Sequence, residues 1–196
     1  VEVVGEVAAT LARYDAGVAF ELMNEPQAWG LGAAQRWHNM NARMIAAARA
    51  EAPTLPLIVS GHMSGGYMGL IESEPFADER LIYTFHHYGP SLFTHQTAID
   101  EARHMGKLPW PPSEGSLEAE LGAMRERVRN DRALPASERA RAIERGDRAL
   151  REYFNEDNGP PRIERDFAAV ARWADAHGID RGAILLGEFG VVRFHR

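Results

Sequence analysis

The sequence contains no cysteine, which rules out a disulfide scaffold and thiolate-ligated metal. It has no apolar run near the roughly 18–20 residues that span a bilayer, so no membrane insertion is expected. Nor is there an excess of basic residues. Lys and Arg number 22 against 28 Asp and Glu, the net charge is −6, and the pI is about 5.8. A chain charged in this way has no electrostatic reason to bind nucleic acid or an anionic membrane. No internal repeat or low-complexity tract stands out, and the sequence opens in a helical pattern rather than a leader pattern. What is present is ordinary globular composition, 45% hydrophobic and 26% charged over 196 residues, enough for one sizeable core.

Periodicity organises most of the chain. "VEVVGEVAATLARYDAG" spaces Val4, Val7, Leu11 and Tyr14 at helical intervals and predicts a helix capped by Gly17. "VAFELM" then reads as a short buried strand. The stretch ending at Pro53 predicts a long helix with Trp37, Met40, Met44 and Ala48 on one face. "LPLIVSG", "RLIYTFHHYGP" and "GAILLGEFGV" read as three further strands. Before the last of them, Ile163, Phe167, Val170 and Ala174 mark another helical face. Strands apolar throughout, alternating with amphipathic helices, predict a parallel sheet covered by helices. The departure from this rhythm is 105–161. There a proline-rich loop, "LPWPPSEGS", precedes two charged helices that break near Pro135, the first striped by Leu117, Leu121, Met124 and Val128. It is expected to be a loop plus helical-hairpin insertion in one domain spanning 1–196.

In parallel βα architectures the chemistry gathers at the C-terminal ends of the strands. Three of the predicted strands finish on reactive groups, Asn24-Glu25, His86-His87-Tyr88 and Glu188, and the other runs into His62 in a glycine-rich loop. A core strand gains nothing from a terminal carboxylate, because an unpaired buried charge is costly. Two carboxylates facing one cavity are what glycoside hydrolysis requires, one to donate a proton and one to attack the sugar or activate water. Asn24 can bind a sugar hydroxyl as both donor and acceptor. Strand alternation sets His87 opposite His86, and Glu21, on the parity of Glu25, is expected deeper as a buried polar group with a basic partner.

The motifs "FELMNEP", "YTFHHYGP" and "LLGEFGV" resemble strands four, six and seven of glycoside hydrolase family 5, the cellulase family of clan A. "HHYGPSLFTHQTA" is also similar to bacterial endoglucanase-like members. The resemblance implies α/β architecture, a partial (β/α)8 TIM barrel covering about strands 4–7 with a helical insertion after strand 6. It also implies a retaining mechanism without a cofactor. It makes Glu25 the acid/base and Glu188 the nucleophile, with Asn24, His86 and Tyr88 in support. In the family that tyrosine contacts the nucleophile, and the histidine lies by the acid/base. A full barrel needs eight strands and about 250 residues. The family's strand-two arginine, its histidine after strand three and its strand-eight tryptophan have no counterpart. The sequence therefore reads as an internal fragment that keeps both carboxylates. Alone it is expected to be poorly soluble, self-associating or inactive.

Sugar rings stack on aromatic faces. Trp29 and Trp110 are candidate platforms, Trp37 and Trp173 are expected in the core, and His95 is a candidate lining residue. The expected partner is a polysaccharide or oligosaccharide, and the resemblance implies a secreted or periplasmic protein. The leading reading is a retaining β-glycosidase acting on β-1,4-glucan, with endo-β-mannanase as the near alternative. Two readings of another class are a non-catalytic carbohydrate-binding barrel fragment and a metal hydrolase built on His62, His86, His87 and Glu188. Metal sites usually show tighter ligand spacing.

Overall fold

A computed structural model describes residues 1–14, 17–155 and 158–192. The chain divides into two compact units, Val1–His87 with Phe167–Phe189, and Tyr88–Asp166 with residues from Gly190 onward.

The first unit opens with α1 (Glu2–Leu11), which ends well before the expected cap at Gly17 and leaves Tyr14 exposed. β1 (Phe20–Glu21) follows, then α2 (Ala33–Glu51), β2 (Leu57–Ser60), the short α3 (Tyr67–Ile71) and β3 (Leu81–His87). After the second unit the chain returns through the end of a later helix, α7 (Pro160–Ala176), to β4 (Ile184–Phe189). Among the described residues these four strands form one parallel sheet in the order β1-β2-β3-β4. Sequential parallel order is the arrangement of a (β/α)8 barrel, and four strands are half its complement. Of the apolar run 18–23 only Phe20 and Glu21 form β1, opposite Leu57 and Ile58 of β2. Backbone bonds from Phe20 to Pro56 and from Leu22 to Ile58 hold the pair.

The core lies between the sheet and its helices. Leu57, Val59, Tyr83 and Phe85 meet Met44, Ile45 and Ala48 of α2 and Val170, Trp173 and Ala174 of the later helix in one buried cluster. Trp37 and Trp173 are buried, as their stripes predicted. Each indole N–H donates to a carbonyl, of Ser60 at 2.8 Å and of Ser73 at 2.9 Å. On α2 the expected Met40 is exposed and Asn41 is buried in its stead, its amide donating to the Ser60 carbonyl at 3.1 Å. α3 packs unusually close, since a Cβ on Gly69 would lie 1.9 Å from the His62 carbonyl oxygen.

The second unit contains α4 (Ser91–Thr94), α5 (Leu117–Asn130), α6 (Ala136–Asn155) and the start of α7 (Pro160–Ala176). The predicted hairpin is α5 and α6, and the stripe residues Leu121, Met124 and Val128 are buried in a separate core with Met105, Leu108 and Leu150. Ser116 caps α5, its hydroxyl accepting from the Ala119 amide. The Tyr153 hydroxyl donates to the Pro109 carbonyl at 2.6 Å and ties α6 to the proline-rich loop, and burial pushes its pKa up to about 12.

Candidate active site

β3 alternates cleanly. Tyr83, Phe85 and His87 face the helices, where Phe167 meets Phe85 and His87 edge-on with ring centroids 5.6 and 5.2 Å apart. Thr84 and His86 therefore point to the opposite face. The ladder to β4 pairs Phe85 with Leu186 but His86 with Glu188, so Gly187 is an extra residue in a bulge. The bulge sets Glu188 directly beside His86. Only glycine suits its middle, because a Cβ there would lie 2.5 Å from the buried Thr84 hydroxyl oxygen.

Glu25 arrives from the loop after β1. Its backbone is left-handed, with φ 44°, a conformation that costs an L-residue about 1–2 kcal/mol. Retained strain of this kind clusters at functional positions. His86 Nδ1 lies 3.0 Å from Glu25 Oε1 and 3.6 Å from Glu188 Oε2. One atom from each of the three side chains falls within 4.8 Å of the others. His86 is buried, and both carboxylates are about 38–39% exposed, so they open to solvent on a buried imidazole base.

The carboxylate of Glu21 stands near this group. It was expected to be buried with a basic partner. The residue is instead exposed, and no Lys or Arg pairs with it among the described residues. The reason is that its face of β1 carries no covering layer here, as the exposure of Met23 two residues on also shows. Partial desolvation raises the Glu21 pKa, the His86 ring pulls it down, and the negative charge of Glu188 raises it further.

The structure thus brings Glu25, His86 and Glu188 together. Asn24 is exposed beside them in sequence. Trp29 is 56% exposed on the same loop, its indole N–H donating to Gln27 Oε1 at 3.3 Å. In the second unit Tyr88 and His95 contact each other edge-on at 5.1 Å, and the Thr94 hydroxyl lies 2.6 Å from the Tyr88 carbonyl and 2.9 Å from His95 Nδ1. Trp110, the other candidate platform, stacks on Phe93 in that unit. The ligand set of the metal-hydrolase alternative is not assembled. His87 packs against Tyr67 and Phe167, and the buried His62 pairs with Glu72 at 3.3 Å. Two features escaped sequence reading, the nearness of Glu21 to Glu188 and a carboxamide, Gln27, that binds the Glu25 carbonyl at 3.1 Å.

Sequential parallel βα units with carboxylates converging at the strand ends are an arrangement that barrel-type glycoside hydrolases share. The chain belongs to the cellulase family, glycosyl hydrolase family 5, whose profile matches residues 1–196. It is similar to Endoglucanase H of Acetivibrio thermocellus, 32% identical over 91 residues, which cover 46% of this chain and 10% of that protein. Its fold is like that of cellulose synthase subunit Z of Clostridioides difficile, with a TM-score of 0.63 at 21% identity over 97% of this chain and 48% of that one. Cel5A of Thermotoga maritima, solved with cellobiose, aligns with a TM-score of 0.62 at 19% identity over 97% of this chain and 47% of that chain. The chain therefore spans about half the length of these solved structures.

Proposed function

We propose that this chain carries the catalytic pair of a retaining β-glycosidase acting on β-1,4-glucan, with Glu25 as acid/base and Glu188 as nucleophile. The observation that carries the reading is the shared contact of both carboxylates with His86, all within 4.8 Å. Retaining pairs stand about 5–5.5 Å apart, whereas inverting pairs leave about 6.5–9.5 Å for a water. An approach of the nearest ligand atoms within 4.8 Å supports the two carboxylates facing one cavity, as a double displacement requires.

This reading implies two displacements. Glu188 attacks the anomeric carbon as Glu25 protonates the departing glycosidic oxygen, giving a glycosyl ester on Glu188. Glu25, now ionised, takes a proton from water, which displaces the sugar from Glu188 with a second inversion. With its proton on Nδ1, His86 would donate to Glu25 Oε1 at 3.0 Å once Glu25 is ionised, and its ring lies 3.6 Å from Glu188 Oε2. Asn24, Tyr88, Trp29 and His95 would contact the sugar or support the pair. The family resemblance extends the proposal to a secreted or periplasmic protein.

β-Mannan is the second reading. The same Thermotoga Cel5A was solved with mannotriose, at a TM-score of 0.60 and 19% identity to this chain. Two checks address the mechanism. In the protein that carries this chain, Glu188→Gln and Glu25→Gln should each lower kcat on cello-oligosaccharides by several orders of magnitude, and proton NMR should show β-configured product first. Chelation should leave the rate unchanged. First-formed α product, or a chelator-sensitive rate restored by a divalent cation, would overturn the assignment.

A further inference from the structure

A left-handed residue turns its carbonyl out of any regular ladder, and among the described residues no backbone N–H donates to the Glu25 carbonyl. Gln27 supplies the donor. Its Nε2 bonds the Glu25 carbonyl at 3.1 Å and Ser64 Oγ at 2.9 Å, while its Oε1 accepts from the Trp29 indole at 3.3 Å. One carboxamide thus spends both ends on three neighbours.

Ser64 in turn belongs to a rigid base. Met63, Ser64 and Gly65 are consecutive left-handed residues, with φ 55°, 54° and 68°. The Ser64 amide donates to the Pro26 carbonyl at 3.0 Å and the Met63 amide to the Ala28 carbonyl at 3.2 Å. On the other side the Gly65 carbonyl accepts from the His86 amide at 2.8 Å. The turn after β2 is therefore fastened both to the loop that carries Glu25 and to the strand that carries His86.

We infer that Gln27 is a positioning residue that aims Glu25 and couples it to the aromatic face of Trp29. A sugar ring that orders Trp29 by stacking orders, through the same carboxamide, the backbone of the proton donor. The inference rests on the acid/base reading of Glu25 and adds to it a device by which substrate binding sharpens proton delivery. Gln27 touches no reacting atom, and because it is exposed, its substitution should leave folding intact.

The test uses leaving groups. A dinitrophenyl cellobioside departs almost without protonation, whereas cellotetraose needs it. Gln27→Ala should lower kcat/KM, which reports the glycosylation step alone, roughly 10- to 100-fold on cellotetraose, the scale of a lost hydrogen bond and a misplaced acid, and change kcat/KM for dinitrophenyl release less than about 3-fold. Gln27→Glu keeps the acceptor for the indole but sets a carboxylate against the Glu25 carbonyl. It should show the same selective loss in kcat/KM. Independently of turnover, hydrogen exchange at the Trp29 indole N–H should quicken in Gln27→Ala and not in Gln27→Glu. Equal losses on both substrates, no loss on either, or unaltered indole exchange in Gln27→Ala would overturn the inference, provided Glu25→Gln itself shows the leaving-group selectivity. If Glu25→Gln lacks that selectivity, the acid/base assignment fails first and the role of Gln27 falls with it.

Discussion

At the scale of single residues, the site is three side chains sharing one nitrogen, with a third carboxylate beside them. Glu21 has a pKa raised by partial burial and by the charge of Glu188. For an acid raised in the folded state, stability is fully present below the ordinary carboxylate range and is lost as pH rises through the folded value. Ionised Glu21 therefore destabilises the fold at neutral pH. Glu21→Gln should raise Tm at pH 7, and the difference should vanish near pH 3, as differential scanning fluorimetry across pH would show. A Tm gain that persisted unchanged at low pH would mean the effect is not electrostatic. The identities of Glu25, His86 and Glu188 were legible in the sequence because each closes an apolar strand run. The environment of Glu21 was not, because strand parity says which face a residue takes but not whether anything covers that face. Gln27 was illegible for a related reason. Nothing in "NEPQAW" announces that Glu25 turns left-handed and strands its carbonyl.

At the scale of elements, the register between β3 and β4 places Glu188, the proposed nucleophile. The bulge at Gly187 lets His86 pair with Glu188, and a methyl group there would collide with Thr84, which is buried to 1% exposure. Gly187→Ala should cost about 1–3 kcal/mol by overpacking, lowering Tm by about 2–4 °C per kcal/mol in a protein of this size. It should also reduce kcat, since the clash shifts Glu188. Adding Thr84→Ala should recover much of the Tm in a double-mutant cycle. Independent, additive losses would contradict the contact. Strands β2, β3 and β4 and helices α2, α5, α6 and α7 were legible, since period-2 and period-3.6 patterns survive in the sequence. The bulge was not, because two or one opposing residues look alike in a single strand. The early end of α1 was missed because helical spacing continues in the sequence to Tyr14, which the structure leaves exposed.

At the scale of the whole molecule, four parallel strands leave two edges without partners among the described residues, at β1 and at β4. Leu185 and Phe189 on β4 are 40% and 72% exposed, and Met23 beyond β1 is 48% exposed. Unpaired apolar edges are templates for association. We propose that the isolated chain self-associates through them. Sedimentation should show mass rising with concentration, and Leu185→Lys should weaken the rise; a constant monomer mass would count against it. The family was legible from three short motifs in order, and the profile match across residues 1–196 agrees. The central claim, a retaining pair of Glu25 and Glu188, is tested most directly by trapping the covalent intermediate. The protein that carries this chain would be incubated with a fluorinated cellobiosyl fluoride, digested and mapped by mass spectrometry. The account predicts a single glycosyl ester on Glu188, formed in wild type and abolished in Glu188→Gln. An ester on another residue, or hydrolysis with inversion and no ester, would contradict it.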